Sequence, residues 1–218
     1  MGETFYTYAA DALSRASDIG TTLRAAGEAE PGRFSVAAQR NLANLISEVQ
    51  EKVLAMIRDA EVDLALFLAI GPVSGIRSEL MGHLDLVLVV SPDHPLAGRR
   101  KIAPEELAGQ AFIGGIEESN FARMIAVMLR RAGIRDYDVV LQLQDGVAAK
   151  QMAQLGVGFT CSLRCAVEPE IAAGTLVPLD LSSGPGPLQV RWAYAENREI
   201  PEIAFTLIRY LNDRRPFS

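Results

Sequence analysis

Residues 84–97, LDLVLVVSPDHPLA, constrain the fold more than any other stretch of the chain. The first half is a run of leucine and valine broken only by Asp85. Such a run reads as a strand covered on both faces, and so as an interior strand of an α/β sheet. The second half has the opposite character. Ser91-Pro92 and His94-Pro95 push the residue before each proline toward extended backbone and remove backbone donors, so the ladder must end near Ser91. A covered strand that runs into a stiff, unpaired segment suits a passage from one lobe of a protein to another. Ser91–Leu96 is therefore expected to be the first crossing between two lobes.

The remaining pattern supplies the lobes. RFSVAA (33–38) reads as a first strand, with Gln39, Arg40 and Asn41 as polar residues at its carboxyl end. Residues 51–60 have helical period, and VDLALF (62–67) is a second buried strand. A loop is expected over 71–81. After the proline-rich phrase, Pro104 opens a short helix, and 111–115 is a strand. Ser119 caps a helix running to Arg131 that Gly133 closes. Residues 139–143 form a strand, Asp145 caps a helix over 146–155, and 158–162 is a strand. A helix over 166–173 ends at Gly174, and strands follow at 176–181 and 188–195. The last strand supplies the second crossing, near Leu188–Val190. Pro201 then opens a final helix to Asn212. Strands alternating with helices imply a mostly parallel sheet in each lobe.

Residues 3–26 lack proline and place Phe5, Tyr8, Ala9, Ala12, Leu13, Ala16, Ile19 and Leu23 at three- and four-residue steps. That spacing predicts one long amphipathic helix, stopped by Gly27, Pro31 and Gly32. A lone helix cannot bury its own apolar stripe, so it calls for a partner, most simply the same helix of a second subunit. A dimer or tetramer is expected.

Bulk properties exclude several functions. With 49% hydrophobic and 22% charged residues, the 218-residue chain can build packed lobes of about 100 residues each. Its longest apolar runs fall well short of a membrane span, and its start has no basic-then-apolar leader, so a cytoplasmic chain without membrane contact is expected. A net charge of −6 argues against a nucleic-acid surface on these residues. Cys161 and Cys165 lack a second pair or a neighbouring histidine, so no zinc site is expected; buried reduced thiols are the default. Neither a Ser-His-Asp order nor a phosphate loop is present, and Leu155-Gly156-Val157-Gly158 is half a dinucleotide fingerprint that precedes a strand instead of a helix. No cofactor, metal or catalytic residue is expected.

Several phrases, taken in order, resemble the LysR-type transcriptional regulators: Gly2-Glu3-x-Phe5, Gly32-x-Phe34-x-Val36, Val62-Asp63-Leu64-Ala65-Leu66, Asp93-His94-Pro95-Leu96-Ala97, Leu155-Gly156-Val157-Gly158-Phe159, and Gly174-Thr175-Leu176-Val177-Pro178-Leu179. No single phrase is decisive, but together they span nearly the whole chain. The resemblance implies a type II periplasmic-binding-protein-like regulatory domain, α/β in class, with two lobes joined by two crossing strands and preceded by a long helix. It assigns residues 1–30 to a linker and dimerisation helix, 31–91 and 190–218 to lobe I, and 92–189 to lobe II. It implies a small-molecule effector in the interlobe cleft, a small carboxylate or an aromatic acid, and no enzymatic activity. DNA contact would come only from a helix-turn-helix that these residues lack, because Met1 stands where the family's winged domain would be ending. The chain also departs from the family near 41–50, where about a helix's worth of residues is missing between two strands.

Ligands of α/β sheets gather outside the carboxyl ends of strands, near helix N-termini. On that ground and on the resemblance, Gln39, Asn41, Leu68, Ser119, Asn120, Thr160 and Ser162 are the candidate effector residues. An ordinary N-cap explains Ser119 equally well, and core packing explains Leu68 better. The alternative reading is a cytoplasmic two-lobed small-molecule-binding module or enzyme of the same architecture.

Overall fold

The computed structural model describes residues 36–38, 55–57, 59, 61–72, 76–117, 119–194 and 209. The leading helix over 3–26, the short link at 41–50 and the final helix from 201 lie outside the described residues. In chain order the strands are β1 (Val36–Ala38), β2 (Leu64–Ala69), β3 (Arg77–Val90), β4 (Ala111–Gly115), β5 (Asp138–Leu143), β6 (Phe159–Leu163), β7 (Val177–Pro178) and β8 (Pro187–Tyr194). Between them, among the described residues, run the α-helices α1 (Asn120–Arg131), α2 (Gly146–Gln154) and α3 (Arg164–Ala172).

The chain divides into two compact units, one holding the described residues up to His83 and from Gln189, the other running from Leu84 to Leu188. Both passages between units therefore fall inside strands, β3 and β8. In the first unit β1 and β2 are parallel, and β2 pairs antiparallel with β8, Phe67 opposite Arg191 and Ala69 opposite Gln189. One face of this sheet buries Ala65, Phe67, Ala69 and Ala193 against Ile57, Val62 and Ile76.

In the second unit β4 is flanked in parallel by β5 and β6, while β3 lies antiparallel to β6 and β7. Val87, Val89 and Ile113 pack with Ala153 of α2 and Val167 of α3. Met124, Ile125, Met128 and Leu129 supply the buried stripe of α1 at three- and four-residue spacing. Fully burying one such side chain stabilises by about 1.5–3 kcal/mol.

Three expectations change here. The sheets are mixed rather than mostly parallel, because β3 and β8 enter from the neighbouring unit and so lie outside the βαβ crossovers that enforce parallel pairing. Residues 77–81 are strand, not loop. Their polar sequence hides this, since of residues 77–83 only Met81 is buried and the pairing comes from neighbours instead of an apolar pattern. Finally, Ser91–Ala97 is a compact turn rather than an extended passage. His94 N donates to Ser91 O, Ala97 N to His94 O, and Leu96 N to His94 Nδ1, while Leu96 itself is buried. Burial holds the His94 imidazole below its ordinary pKa, which favours the neutral ring whose Nδ1 accepts that bond.

A cavity at the strand ends of the second unit

The carboxyl ends of β4, β5 and β6 open onto a cavity of about 440 Å³ within the second unit. This volume falls in the range of small-molecule sites. Two helices begin at its rim. Ser119 is extended and its Oγ accepts the Ala122 amide of α1 at 3.3 Å, and Asp145 Oδ1 accepts the Val147 amide of α2 at 2.8 Å. Both residues thus cap as the sequence suggests. The remaining first-turn amides and the helix dipoles bias this end toward anionic or acceptor groups.

Gly115 lets α1 approach β4. A Cβ there would meet the Ala122 side chain at 3.0 Å. Val140 is the extra residue of a bulge in β5, because Phe112 pairs with Val139 and Ile113 with Leu141. Beyond this bulge Gln142 and Leu143 reach the cavity wall.

Of the candidate residues, Ser119, Thr160 and Ser162 line the cavity. Thr160 is buried, and its hydroxyl donates to Ile113 O at 2.9 Å, tying β6 to β4. Its oxygen keeps acceptor capacity, while Ser162 is half-buried. Asn120 begins α1, but its side chain lies outside the described residues, as do Gln39 and Asn41. Leu68 is 1% exposed in β2, packed in the other unit.

Lys150 was not foreseen. Its Nζ, on the cavity wall, donates to Ala166 O at 2.9 Å and to Glu170 Oε1 at 2.6 Å, joining α2 to α3. Glu170 Oε2 is buried without a partner. The chain has three lysines, at 52, 101 and 150, against eighteen arginines. The available sequence signal was therefore a rare lysine on the otherwise small and uncharged helix GVAAKQMAQ. Tyr137 and Phe112 form an aromatic wall with Phe159 behind them, the Phe112 centroid lying 4.8 Å from Tyr137 and 4.9 Å from Phe159. Burial, partly offset by Arg130, raises the Tyr137 phenol above its ordinary pKa. Cys161 also lines the cavity, and burial pushes its thiol up to about 12. Among the described residues no group of three His, Cys, Asp or Glu side chains is placed to hold a metal ion, and no helix is long and apolar enough to cross a membrane.

In the second unit, polar groups and two helix N-termini thus gather at the ends of mixed-sheet strands. A family model described as LysR substrate binding domain matches residues 37–216. The chain belongs to this family. It is 25% identical over 142 residues to the HTH-type transcriptional regulator CbbR of Sinorhizobium medicae (strain WSM419), covering 65% of this chain and 45% of that protein. The chain therefore spans under half the length of that relative. Among solved structures it resembles the CcmR regulatory domain of Synechocystis PCC6803 in complex with 2-PG, with a TM-score of 0.67, 22% identity, and coverage of 79% and 80% of the two chains. It also resembles the effector binding domain of QuiR in complex with shikimate, with a TM-score of 0.61, 16% identity, and coverage of 77% and 79%. These likenesses give the LysR regulatory-domain fold, and the family is one of regulators rather than enzymes.

Proposed function

We propose that this LysR domain senses a small carboxylate or aromatic acid in the second unit's cavity, and that this binding controls the DNA-binding activity of a longer, cytoplasmic transcriptional regulator. The observation that carries the reading is the convergence of two capped helix N-termini on a cavity of about 440 Å³ with an aromatic wall. An acid group is favoured at the helix ends and a ring against Phe112 and Tyr137. The neighbours' ligands, 2-PG and shikimate, are small molecules, which supports a ligand of modest size. Ser119, Thr160 and Ser162 would accept or donate to its polar groups, with Lys150 supplying the nearby cation. Asn120, at the start of α1, and the polar pair Gln39 and Asn41 after β1 remain proposed contacts on the residue pattern alone.

Residues 1–30 would pair two subunits, and DNA would be contacted by a helix-turn-helix of the whole regulator. An effector acts in such a protein only through unequal affinity for two arrangements of the subunits.

The test is a thermal-shift screen of carboxylates and aromatic acids followed by calorimetric titration. A hydrogen bond to a charged ligand is worth about 1.5–3 kcal/mol, so Ser162→Ala should weaken a genuine effector about tenfold or more; Thr160, whose proton goes to Ile113 O, can only accept, so Thr160→Val should weaken an effector that carries a donor such as a hydroxyl. An effector whose affinity neither variant changes binds elsewhere.

A further inference from the structure

Two hydroxyls on the cavity wall of the second unit, Ser119 and Thr160, are engaged within the protein in opposite senses. At Ser119 the oxygen is used, accepting the Ala122 amide at 3.3 Å, and the proton stays uncommitted. At Thr160 the proton is used, donated to Ile113 O at 2.9 Å. A hydroxyl has one proton and two acceptor lone pairs, so Thr160 can offer a ligand only an acceptor. Turning its proton toward a ligand would strand the Ile113 carbonyl and exchange one bond for another, whereas accepting from a ligand adds a bond and loses none. Thr160 is 4% exposed and lines the cavity, and among the described residues nothing donates to its oxygen.

Other groups on this wall donate. Lys150 Nζ has three N–H groups and uses two of them on Ala166 O and Glu170 Oε1, which leaves one. The first-turn amides of α1 and α2 that Ser119 and Asp145 do not take add further donors. A carboxylate satisfies all of these but gives nothing to Thr160, where it would set lone pair against lone pair. A ligand that satisfies both kinds of group carries a donor as well as an acid. A hydroxyl suits that place better than an ammonium, because Lys150 and the positive ends of α1 and α2 disfavour a second cation.

We propose that the effector is a hydroxy acid and that Thr160 is the residue that reads its hydroxyl. This assignment rests on the second unit's cavity being the effector site, and it adds the class of acid and the side chain that selects it.

The experiment is calorimetric titration of the full chain with lactate, malate, mandelate and para-hydroxybenzoate, each against its deoxy partner (propionate, succinate, phenylacetate, benzoate) and its amino partner (alanine, aspartate, phenylglycine, para-aminobenzoate). At least one hydroxy acid should bind about tenfold or more tightly than both of its partners. The methyl ether of that acid, which keeps the oxygen and loses the proton, should bind no better than the deoxy acid. Thr160→Val should remove the preference while the acid itself still binds, and Thr160→Ser should retain it; the wild-type comparison with the methyl ether supplies the test if the valine variant does not fold. Hydroxy and deoxy acids of equal affinity, or a methyl ether as good as the hydroxy acid, would overturn the hydroxyl assignment and leave the acid-sensing reading standing. A preference for the amino partners would likewise overturn it, and a hydroxyl preference that survives in Thr160→Val would remove Thr160 as its reader. If no acid of any kind binds, this assignment and the acid-sensing reading fall together.

Discussion

Thr160 shows how a single hydroxyl can hold two roles. From the sequence it is a polar residue in an apolar strand, and its loss should matter for a ligand but little for the fold. In the structure its proton goes to the Ile113 carbonyl in a buried bond. Thr160→Val should therefore cost stability by about 1–3 kcal/mol, because an acceptor is stranded away from water. Ser119→Ala should cost about 1 kcal/mol through the lost cap. Urea titration of both variants checks this ordering, and a larger loss for the serine variant would mean that the Ile113 bond contributes little.

The two cysteines separate just as clearly. Cys161 is buried with its thiol pushed up to about 12, whereas Cys165 is exposed in the first turn of α3 and its thiol is raised chiefly by partial burial. At pH 8 a disulfide reagent should label one thiol per native chain quickly and the second only on unfolding. Because the native Cys161 pKa lies above the ordinary 9.0, the unfolded chain ionises first, so this residue's contribution to stability is complete below pH 9 and falls as pH rises toward 12. Equal labelling rates for both thiols in the folded protein would contradict that burial.

At the scale of elements, the phrase Leu155-Gly156-Val157-Gly158 contains two glycines with different physical reasons. Gly156 follows α2 with φ +79°, a conformation that disfavours any Cβ. At Gly158 a Cβ would run into the Ala111 backbone, where β6 enters beside β4. Gly158→Ala should force those parallel strands apart, costing about 1–3 kcal/mol or more. It should also disturb Thr160 two residues on, so effector affinity and melting temperature should fall together. A Gly158→Ala protein with wild-type melting temperature would show that this pair of strands tolerates the displacement.

The element reading worked best where local chemistry is self-contained. Ser119 and Asp145 cap the helices they were expected to cap, and Gly133 and Gly174 take positive φ after α1 and α3. It failed at the leading half of β3 and at the proline-rich phrase. The first is a strand by virtue of its neighbours; the second closes on itself through a histidine nitrogen and backbone bonds that no periodicity announces.

For the whole molecule, the apolar stripe of Phe5, Tyr8, Ala12, Ile19 and Leu23 leads to a prediction about association. Removing residues 1–30 should shift the sedimentation coefficient from a dimer or larger assembly toward a monomer. The units should keep their cooperative melt, because the described strands and helices pack among themselves and all lie after residue 30. A full-length chain that is already monomeric at micromolar concentration would leave the linker-helix assignment without support.

The sequence by itself determined the class of fold, the order of most elements, their caps and breaks, and the family resemblance. Each of these depends on residues close together in the chain: apolar period, proline and glycine positions, and capping side chains. It also singled out Ser119, Thr160 and Ser162, because polar residues at strand ends and helix starts stand out locally. Tertiary structure alone decided that Lys150 meets Ala166 and Glu170 on a neighbouring helix, that Thr160 gives its proton to Ile113, and that Arg191 is buried with its guanidinium donating to Ser78 and Gln189. The reason is physical. A side chain's burial and partners are set by strands and helices that are remote in sequence, so a charge that looks like ordinary surface in the chain can become a buried one once the sheet has formed.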